Sequence, residues 1–443
     1  MYTYRTAQGV WLNDMCNRAR PARQWPDVTL DDRAEADLVA SIRLQAASGF
    51  DSLTIFGLLT ARDWMPRLET TVPAARRRRV RRILDAAHEA GVRIFYGLGV
   101  YSWGFDRIIE KDAAVRGTNP HAMCAARDAS RTWMRRVVDY VLEGYDFDGF
   151  HLEASDQGRC ACPDCAPRSN ADYYSRVNAE TAAYIRSCDP SKTLMVNMCG
   201  YLHTGRTVPE GDWQHLYEMG RHLDFLVDAG HRSFHVDPAR RRAFIAGLPC
   251  AYGTSGGVWV YPPQRWNRGR WFLPYTQRTG QHLAQLYADG GRAVEYYMGP
   301  SSNPGVEVNI AFGGRKLSDP SRTDDEILGE VLQSLYEPRD SRAAAELTAI
   351  FEDAEEAFFT HGQGQQQGEI HLCPLIGHTA GPPIYLRNGM TPAGRRAYGR
   401  QLSRLLPRVR RLQGRVGGGP RLARITRCIA GTLADLERAA SAG

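Results

Sequence analysis

The sequence contains no run of about 18 consecutive apolar residues in its 443 positions, so an ordinary membrane-spanning helix is not expected. Residues 1–13 also lack a basic segment followed by an apolar core, which predicts that there is no signal peptide and that the protein is cytoplasmic. Hydrophobic residues make up 43% of the chain and charged residues 24%, as in ordinary globular proteins. We therefore expect a globular protein with no membrane partner.

Lysine is almost absent, since only Lys111, Lys192 and Lys316 occur, and arginine carries nearly all of the positive charge behind the formal net charge of +7. The densest basic run, at positions 76–82, falls in a predicted helix over about 74–90 and is typical of a solvated helix face. A nucleic-acid partner would also suit a basic run. Because no recognition motif of a nucleic-acid module accompanies it, we predict no such partner.

Two further kinds of motif are missing. No glycine-rich phosphate fingerprint follows an early strand, which disfavours a dinucleotide-binding fold and predicts no organic cofactor. The sequence also offers no serine or cysteine nucleophile with its base at a recognisable spacing. Chemistry based on carboxylates is therefore the first class to consider.

A short β-rich run alternates repeatedly with an amphipathic helix, and this alternation is typical of a parallel sheet. Eight such strand–helix units favour a closed (β/α)₈ TIM barrel of the α/β class over an open sheet. The predicted strands are 10–14, 52–56, 92–98, 147–153, 193–198, 224–228, 250–254 and 293–298. The predicted helices between and after them include 34–47, 132–142, 173–187, 239–248, 277–289 and, as the last barrel helix, 324–335.

The pattern changes after the eighth strand, and we predict a catalytic barrel over 1–338 and a mainly helical C-terminal region over 339–443. Helices are expected at 341–359, 392–413 and 422–440, and 369–375 could form a strand. The sequence leaves open whether the protein forms a homo-oligomer.

Active sites of such barrels lie at the C-terminal ends of the strands. Side chains alternate along a strand, so if Phe150 and Leu152 face the helices, then Gly149, His151 and Glu153 face the barrel axis. A buried carboxylate is costly unless it has a partner or a role. We predict that Glu153 is catalytic, although a structural ion pair with an arginine, or a packed core histidine at 151, would explain the same residues.

Other polar and aromatic side chains follow the remaining strands. Glycoside hydrolysis needs a second carboxyl group, and the candidates are, in order, Glu295, Asp156 and Asp228, with Asp14 as a further one. Aromatic rings pack on the apolar faces of sugars, so a carbohydrate substrate is predicted. The predicted substrate-binding residues are Asp14, Tyr101, Trp103, His151, Asn197, Asp228, His231 and Tyr297.

Three of the ten cysteines are clustered as Cys160-x-Cys162-x₂-Cys165. Thiolates at this spacing can hold a tetrahedral zinc ion, and a closed structural site needs a fourth ligand. Cys124, in the loop after the third strand, is the natural fourth ligand. Ordinary thiols without a metal are the alternative to this predicted structural zinc site.

The segment from about residue 90 to 170 resembles family 42 glycoside hydrolases, the β-galactosidases. The resemblance implies that Glu153 is the acid/base at the end of the fourth strand and that Cys124 and the later cluster bind zinc. This chain departs from the family in having Leu152 where an Asn precedes the acid/base, and in having no Glu on the seventh strand, the nearest being Glu295. Residues 326–359 also resemble the helical region after the barrel in families 20 and 67, which act on N-acetylhexosamines and glucuronosides. The resemblances imply a glycoside hydrolase but no particular sugar.

Two other functions fit the same barrel. A sugar lyase or isomerase would use His231, His151 or Tyr297 as its base. A carbohydrate-binding barrel without catalysis is the other, because the seventh strand lacks a carboxylate.

Overall fold

The computed structural model describes most of the chain. The described residues are 1–9, 30–60, 63–154, 157–198, 201, 208–228, 237–257, 259–260, 272–297, 301–362, 375–376 and 391–441.

Eight parallel strands form a closed barrel, which confirms the predicted fold class. In barrel order they are β1 (Tyr4–Gly9), β2 (Ser52–Ile55), β3 (Arg93–Gly99), β4 (Gly149–Glu153), β5 (Thr193–Asn197), β6 (Phe225–Asp228), β7 (Ala251–Gly257) and β9 (Ala293–Tyr297). A separate parallel pair joins β8 (Trp259–Val260) to β10 (Leu375–Ile376).

The first barrel strand lies earlier than predicted. It is β1, in which Thr6 pairs with Ser52 on one side and Glu295 on the other. The predicted strand at 10–14 falls outside the described residues. The polar and small residues of β1 conceal a strand from sequence analysis, yet Tyr4 stacks on Phe225 inside the barrel with ring centroids 4.4 Å apart.

Helices pack around the barrel and continue after it. They are α1 (Asp32–Ser48), α2 (Ala74–Glu89), α3 (Asp106–Lys111), α4 (Asp128–Gly144), α5 (Asn170–Cys188), α6 (Trp213–Gly220), α7 (Pro238–Gly247), α8 (Gln277–Ala288), α9 (Pro304–Ser318), α10 (Asp324–Tyr336), α11 (Ser341–Ala357), α12 (Pro392–Arg411) and α13 (Gly419–Ser441). Within the described part of the chain, no helix is both long and apolar enough to cross a membrane.

The helix that follows the eighth barrel strand is α9, so the prediction of 324–335 as the last barrel helix was wrong. Thirteen of the fifteen residues of α9 are buried. A helix buried on nearly every side has no polar face, so the alternation that reveals a surface helix is missing. Gly314 allows α9 to approach α1, because a Cβ there would lie 2.2 Å from the backbone oxygen of Ser48.

The barrel interior is filled at its lower levels by an apolar cluster of Phe95, Met195, Phe225, Val227 and Ala293. A larger cluster lies between the strands and the helices, and it includes buried side chains of α11, α12 and α13 as well as those of the barrel. The C-terminal helices therefore share a hydrophobic core with the barrel.

Candidate active site

His151 lies inside the barrel, as the alternation along β4 predicts. Gly149, two residues earlier, also faces inward, because a Cβ at this position would lie 2.9 Å from the Phe95 ring of the inner cluster. His151 is 1% exposed, and its ring packs edge-on against Phe56 with centroids 4.9 Å apart. β4 therefore supplies an inward column that ends at Glu153.

Three strands bring polar side chains together around Glu295. Its Oε1 lies 2.9 Å from Nδ1 of His151 on β4, and its Oε2 accepts a hydrogen bond of 2.5 Å from the Asn197 amide on β5. All three side chains are buried. A buried carboxylate needs polar partners, and the hydrogen bond from Asn197 together with the nearby His151 ring can hold Glu295 in one orientation.

Glu153 ends β4 and is 6% exposed. Its backbone oxygen accepts a hydrogen bond from the N–H of Val100, which joins the ends of β3 and β4. Burial raises the pKa of Tyr201, and the nearby Glu153 charge raises it further. Because side chains alternate along a strand, Glu153, two residues after the inward-facing His151, lies on the same inward column, one side-chain level closer to the barrel mouth.

The two aromatic residues of the loop after β3 point in different directions. The Trp103 ring packs edge-on against Phe56 at 5.0 Å, so it lies above His151. The Tyr101 side chain instead lines a small outer cavity between α4 and α5 with Met134 and Tyr184. Of this pair, only Trp103 is brought to the site.

Asp228 also lies away from the barrel axis. Its neighbours Phe225 and Val227 belong to the inner cluster, so the side chain of Asp228 faces the helices. There its Oδ2 accepts a hydrogen bond of 3.0 Å from the Tyr252 hydroxyl. Asp228 therefore makes a structural contact between the strands and the helices and does not face the site.

Four of the predicted site residues lie, wholly or by their side chain, outside the described part of the chain. Asp14, Asp156 and His231 fall outside the described residues, and the side chain of Tyr297 is likewise not described. Their predicted roles stay predictions.

Two residues beside the site, Phe56 and Gln157, are not predicted from the sequence. Phe56 follows directly after β2 and fills the space above Gly97, where a Cβ would lie 2.4 Å from its ring. The side chain of Gln157 accepts a hydrogen bond from the backbone N–H of Trp103. An inward position at a strand end could have identified Phe56, whereas nothing in the sequence predicts the contact of Gln157.

The four predicted cysteine ligands come together, and they could hold a metal ion. The sulfurs of Cys124, Cys160, Cys162 and Cys165 all lie within 4.8 Å of one another. Cys124 Sγ is 3.7 Å from Cys162 Sγ and 4.0 Å from Cys165 Sγ. A tetrahedral site with zinc–sulfur bonds of about 2.3 Å has sulfurs about 3.8 Å apart, so the spacing fits such an ion.

The surroundings of the cluster also suit thiolates. The backbone N–H groups of Thr118 and Cys162 point at Cys160 Sγ from 3.5 and 3.4 Å. Burial opposes the thiolate, but these donors lower the pKa of Cys160 to about 7. A side chain in place of Gly117 would collide with this sulfur, since its Cβ would lie 2.4 Å away. The loops after β3 and β4 are therefore shaped to bring four sulfurs together.

No protein-family profile and no curated protein matches this chain. Solved structures of similar fold include a GH138 enzyme targeting pectin rhamnogalacturonan II, with a TM-score of 0.62 and 8% identity over 99% of this chain. This chain spans 58% of that protein. CpGH84B is similar with a TM-score of 0.52 and 9% identity, covering 99% of this chain and 67% of the other. At these identities the similarity shows the fold alone, and the resemblance to family 42 stays a prediction.

Proposed function

We propose that this protein is a glycoside hydrolase that cleaves an O-glycosidic bond with two carboxylates. The observation that carries the proposal is the meeting of Glu295, His151 and Asn197 inside the barrel, one level below Glu153 at the mouth. Two carboxyl groups in different surroundings are what general acid/base cleavage of a glycoside requires. The similar fold of the GH138 enzyme that targets pectin rhamnogalacturonan II supports the proposal.

In this mechanism Glu153 is the general acid that donates a proton to the leaving oxygen. Glu295 is our first choice for the second carboxylate, because Asn197 donates a hydrogen bond to one of its oxygens and His151 lies 2.9 Å from the other. Asp156, in the loop after Glu153, is the alternative. Trp103 and Phe56 place aromatic rings beside these groups, and aromatic rings suit the apolar faces of a sugar.

The first experiment compares the unaltered protein with Glu153→Gln on a panel of aryl glycosides, disaccharides and pectin-derived oligosaccharides. The substitution should lower kcat by about 10²–10⁴-fold, the usual contribution of a general acid. Glu143→Gln is the matched control, since Glu143 is exposed at the far end of α4, and it should leave kcat unchanged. A loss of less than about tenfold for Glu153→Gln would refute its role.

We also propose that the four-cysteine cluster binds a structural zinc ion. A closed four-thiolate site leaves no coordination position for water, so the ion would join the loops after β3 and β4 and take no part in hydrolysis. Purified protein should contain about one equivalent of zinc, and its removal should lower the melting temperature. Metal-free protein that melts at the same temperature as the isolated form would rule out a structural ion.

A sugar lyase or isomerase is the second candidate, favoured by the pairing of His151 with Glu295. A carboxylate beside an imidazole can orient it as a base. A lyase would form an unsaturated product, and its absorbance in the near ultraviolet would distinguish it from a hydrolase on the same panel.

A further inference from the structure

The loop that follows β3 contains two aromatic residues in the left-handed backbone region. Tyr101 has φ 61° and Trp103 has φ 60°. Bulky L-residues seldom adopt this conformation, and holding one there costs free energy that the surrounding structure must offset. The loop therefore needs contacts that keep it in this shape.

Several segments hold the loop: the N–H of Met123 donates to the backbone oxygen of Tyr101 at 2.7 Å, and two further contacts come from the segment that follows Glu153. The hydroxyl of Ser102 donates to the backbone oxygen of Ala154 at 3.2 Å. The backbone N–H of Trp103 donates to Oε1 of Gln157 at 3.0 Å. The second bond is made by a side chain, so a single substitution can remove it without altering either backbone.

The conformation of Trp103 determines which side chains lie above Glu295 and its partner His151. Its ring packs on Phe56 at 5.0 Å, and Phe56 packs on His151 at 4.9 Å. Trp103 itself is 8% exposed. If the loop relaxed to an ordinary backbone conformation, this ring would leave Phe56 and the wall of the site would change.

We propose that Gln157 is a positioning residue that holds Trp103 over the candidate active site and so determines the shape of the space available to a sugar ring. The expected effect on enzyme kinetics rests on the proposed function, whereas the expected effect on the position of Trp103 does not. Gln157 is itself held from the other side, because Asn119 Nδ2 donates to its backbone oxygen at 2.9 Å. Asn119 follows Thr118, whose N–H points at Cys160, so the cysteine cluster and the Trp103 loop belong to one connected unit.

The test uses the full chain labelled with 5-fluorotryptophan. The chain has nine tryptophans, and Trp103→Phe identifies the ¹⁹F resonance of Trp103. Gln157→Met keeps the size of the side chain but loses the acceptor, whereas Gln157→Glu keeps an acceptor oxygen at the same place. We expect Gln157→Met to shift the Trp103 resonance and Gln157→Glu to leave it nearly unchanged.

A Trp103 resonance that does not move in folded Gln157→Met overturns the proposal. So does an equal shift in both variants, because the acceptor would then not be the cause. If Gln157→Met does not fold, hydrogen exchange of the Trp103 backbone N–H is measured in the unaltered protein instead. A Trp103 N–H that exchanges as fast as an unprotected peptide would also overturn the proposal.

With a substrate from the panel above, Gln157→Met should raise KM by about three- to tenfold and change kcat by less than about twofold. This is the pattern of a lost neutral hydrogen bond that shapes binding and does not touch the reacting atoms. An unchanged KM alongside a shifted resonance would overturn the role of Trp103 in the site. If no sugar is turned over, the proposed function fails, but the resonance still decides whether Gln157 positions Trp103.

Discussion

Glu355 lies in the C-terminal region, and its buried carboxylate caps a helix of the barrel. It is 3% exposed, and it accepts hydrogen bonds from the backbone N–H groups of Thr276, Gln277 and Arg278. These groups lie at the start of α8, where Thr276 makes no cap of its own. A carboxylate satisfies the free N–H groups at a helix start and interacts favourably with the helix dipole.

We predict that Glu355→Gln destabilises the protein by about 1–3 kcal/mol. The amide NH₂ of Gln would face backbone N–H donors, so one side of the cap would be left without an acceptor. Urea unfolding measures the difference. Glu356→Gln is the matched control, because the side chain of Glu356 is 67% exposed and forms an ion pair with Arg278 at 3.3 Å. It should cost less than about 1 kcal/mol.

The same residue predicts a pH dependence. Burial raises the pKa of Glu355, while its backbone donors act in the opposite direction. Because the pKa is higher in the folded chain, the stabilising contribution of Glu355 is largest below its unfolded pKa of about 4.3 and falls as the pH rises through the folded pKa. The difference in unfolding free energy between the unaltered protein and Glu355→Gln should therefore shrink as the pH is raised above about 4. A difference that grows over this range would contradict the assignment.

The direction of a side chain could be predicted from the sequence where a strand determines it. His151, Asn197 and Glu295 were predicted from strand ends, and they meet inside the barrel. Asp228 also ends a strand, but its position in the alternation turns it toward the helices. Tyr101 lies in a loop whose backbone conformation no sequence pattern reveals, so its direction could not be predicted.

Helices and strands were predicted correctly where one face is apolar and the other is polar. The amphipathic helix α5 was predicted at 173–187 and spans Asn170–Cys188. The helix α9 was missed because it is buried on nearly all sides, and β1 because its residues are polar or small. Both errors have the same cause. An element is recognised in a sequence by its alternation of apolar and polar residues, and neither α9 nor β1 shows a clear alternation.

The close approach of α9 to α1 gives a test on this element. Gly314→Ala should destabilise the protein by about 1–3 kcal/mol, because its Cβ would lie 2.2 Å from the backbone oxygen of Ser48 and one helix must shift. Gly329→Ala in α10 is the control, since its Cβ would meet nothing within 4 Å. That change should stabilise by about 0.5–1 kcal/mol through helix propensity. Opposite signs in thermal unfolding support the packing; a neutral Gly314→Ala would contradict it.

At the scale of the whole molecule, the C-terminal helices carry a large share of the charge. Residues 391–441 contain twelve arginines and two acidic residues, a net charge of +10 against +7 for the whole chain. Two of these arginines bind the barrel, because Arg421 and Arg424 of α13 both pair with Glu307 of α9. The carboxylate of Glu307 is 8% exposed, so this is a largely buried contact between the two predicted regions.

The boundary at residues 338 and 339 stays a prediction, but the contacts across it predict how the chain unfolds. Phe351 of α11 packs edge-on against Phe272 at 5.1 Å, and Glu355 and Glu307 add polar contacts. We therefore expect a single cooperative transition in calorimetry, with equal calorimetric and van't Hoff enthalpies. Phe351→Ala, which removes a buried ring and should cost about 3–5 kcal/mol, should lower that one transition as a whole. Two transitions, of which Phe351→Ala moves only one, would show that the barrel and the C-terminal region unfold independently.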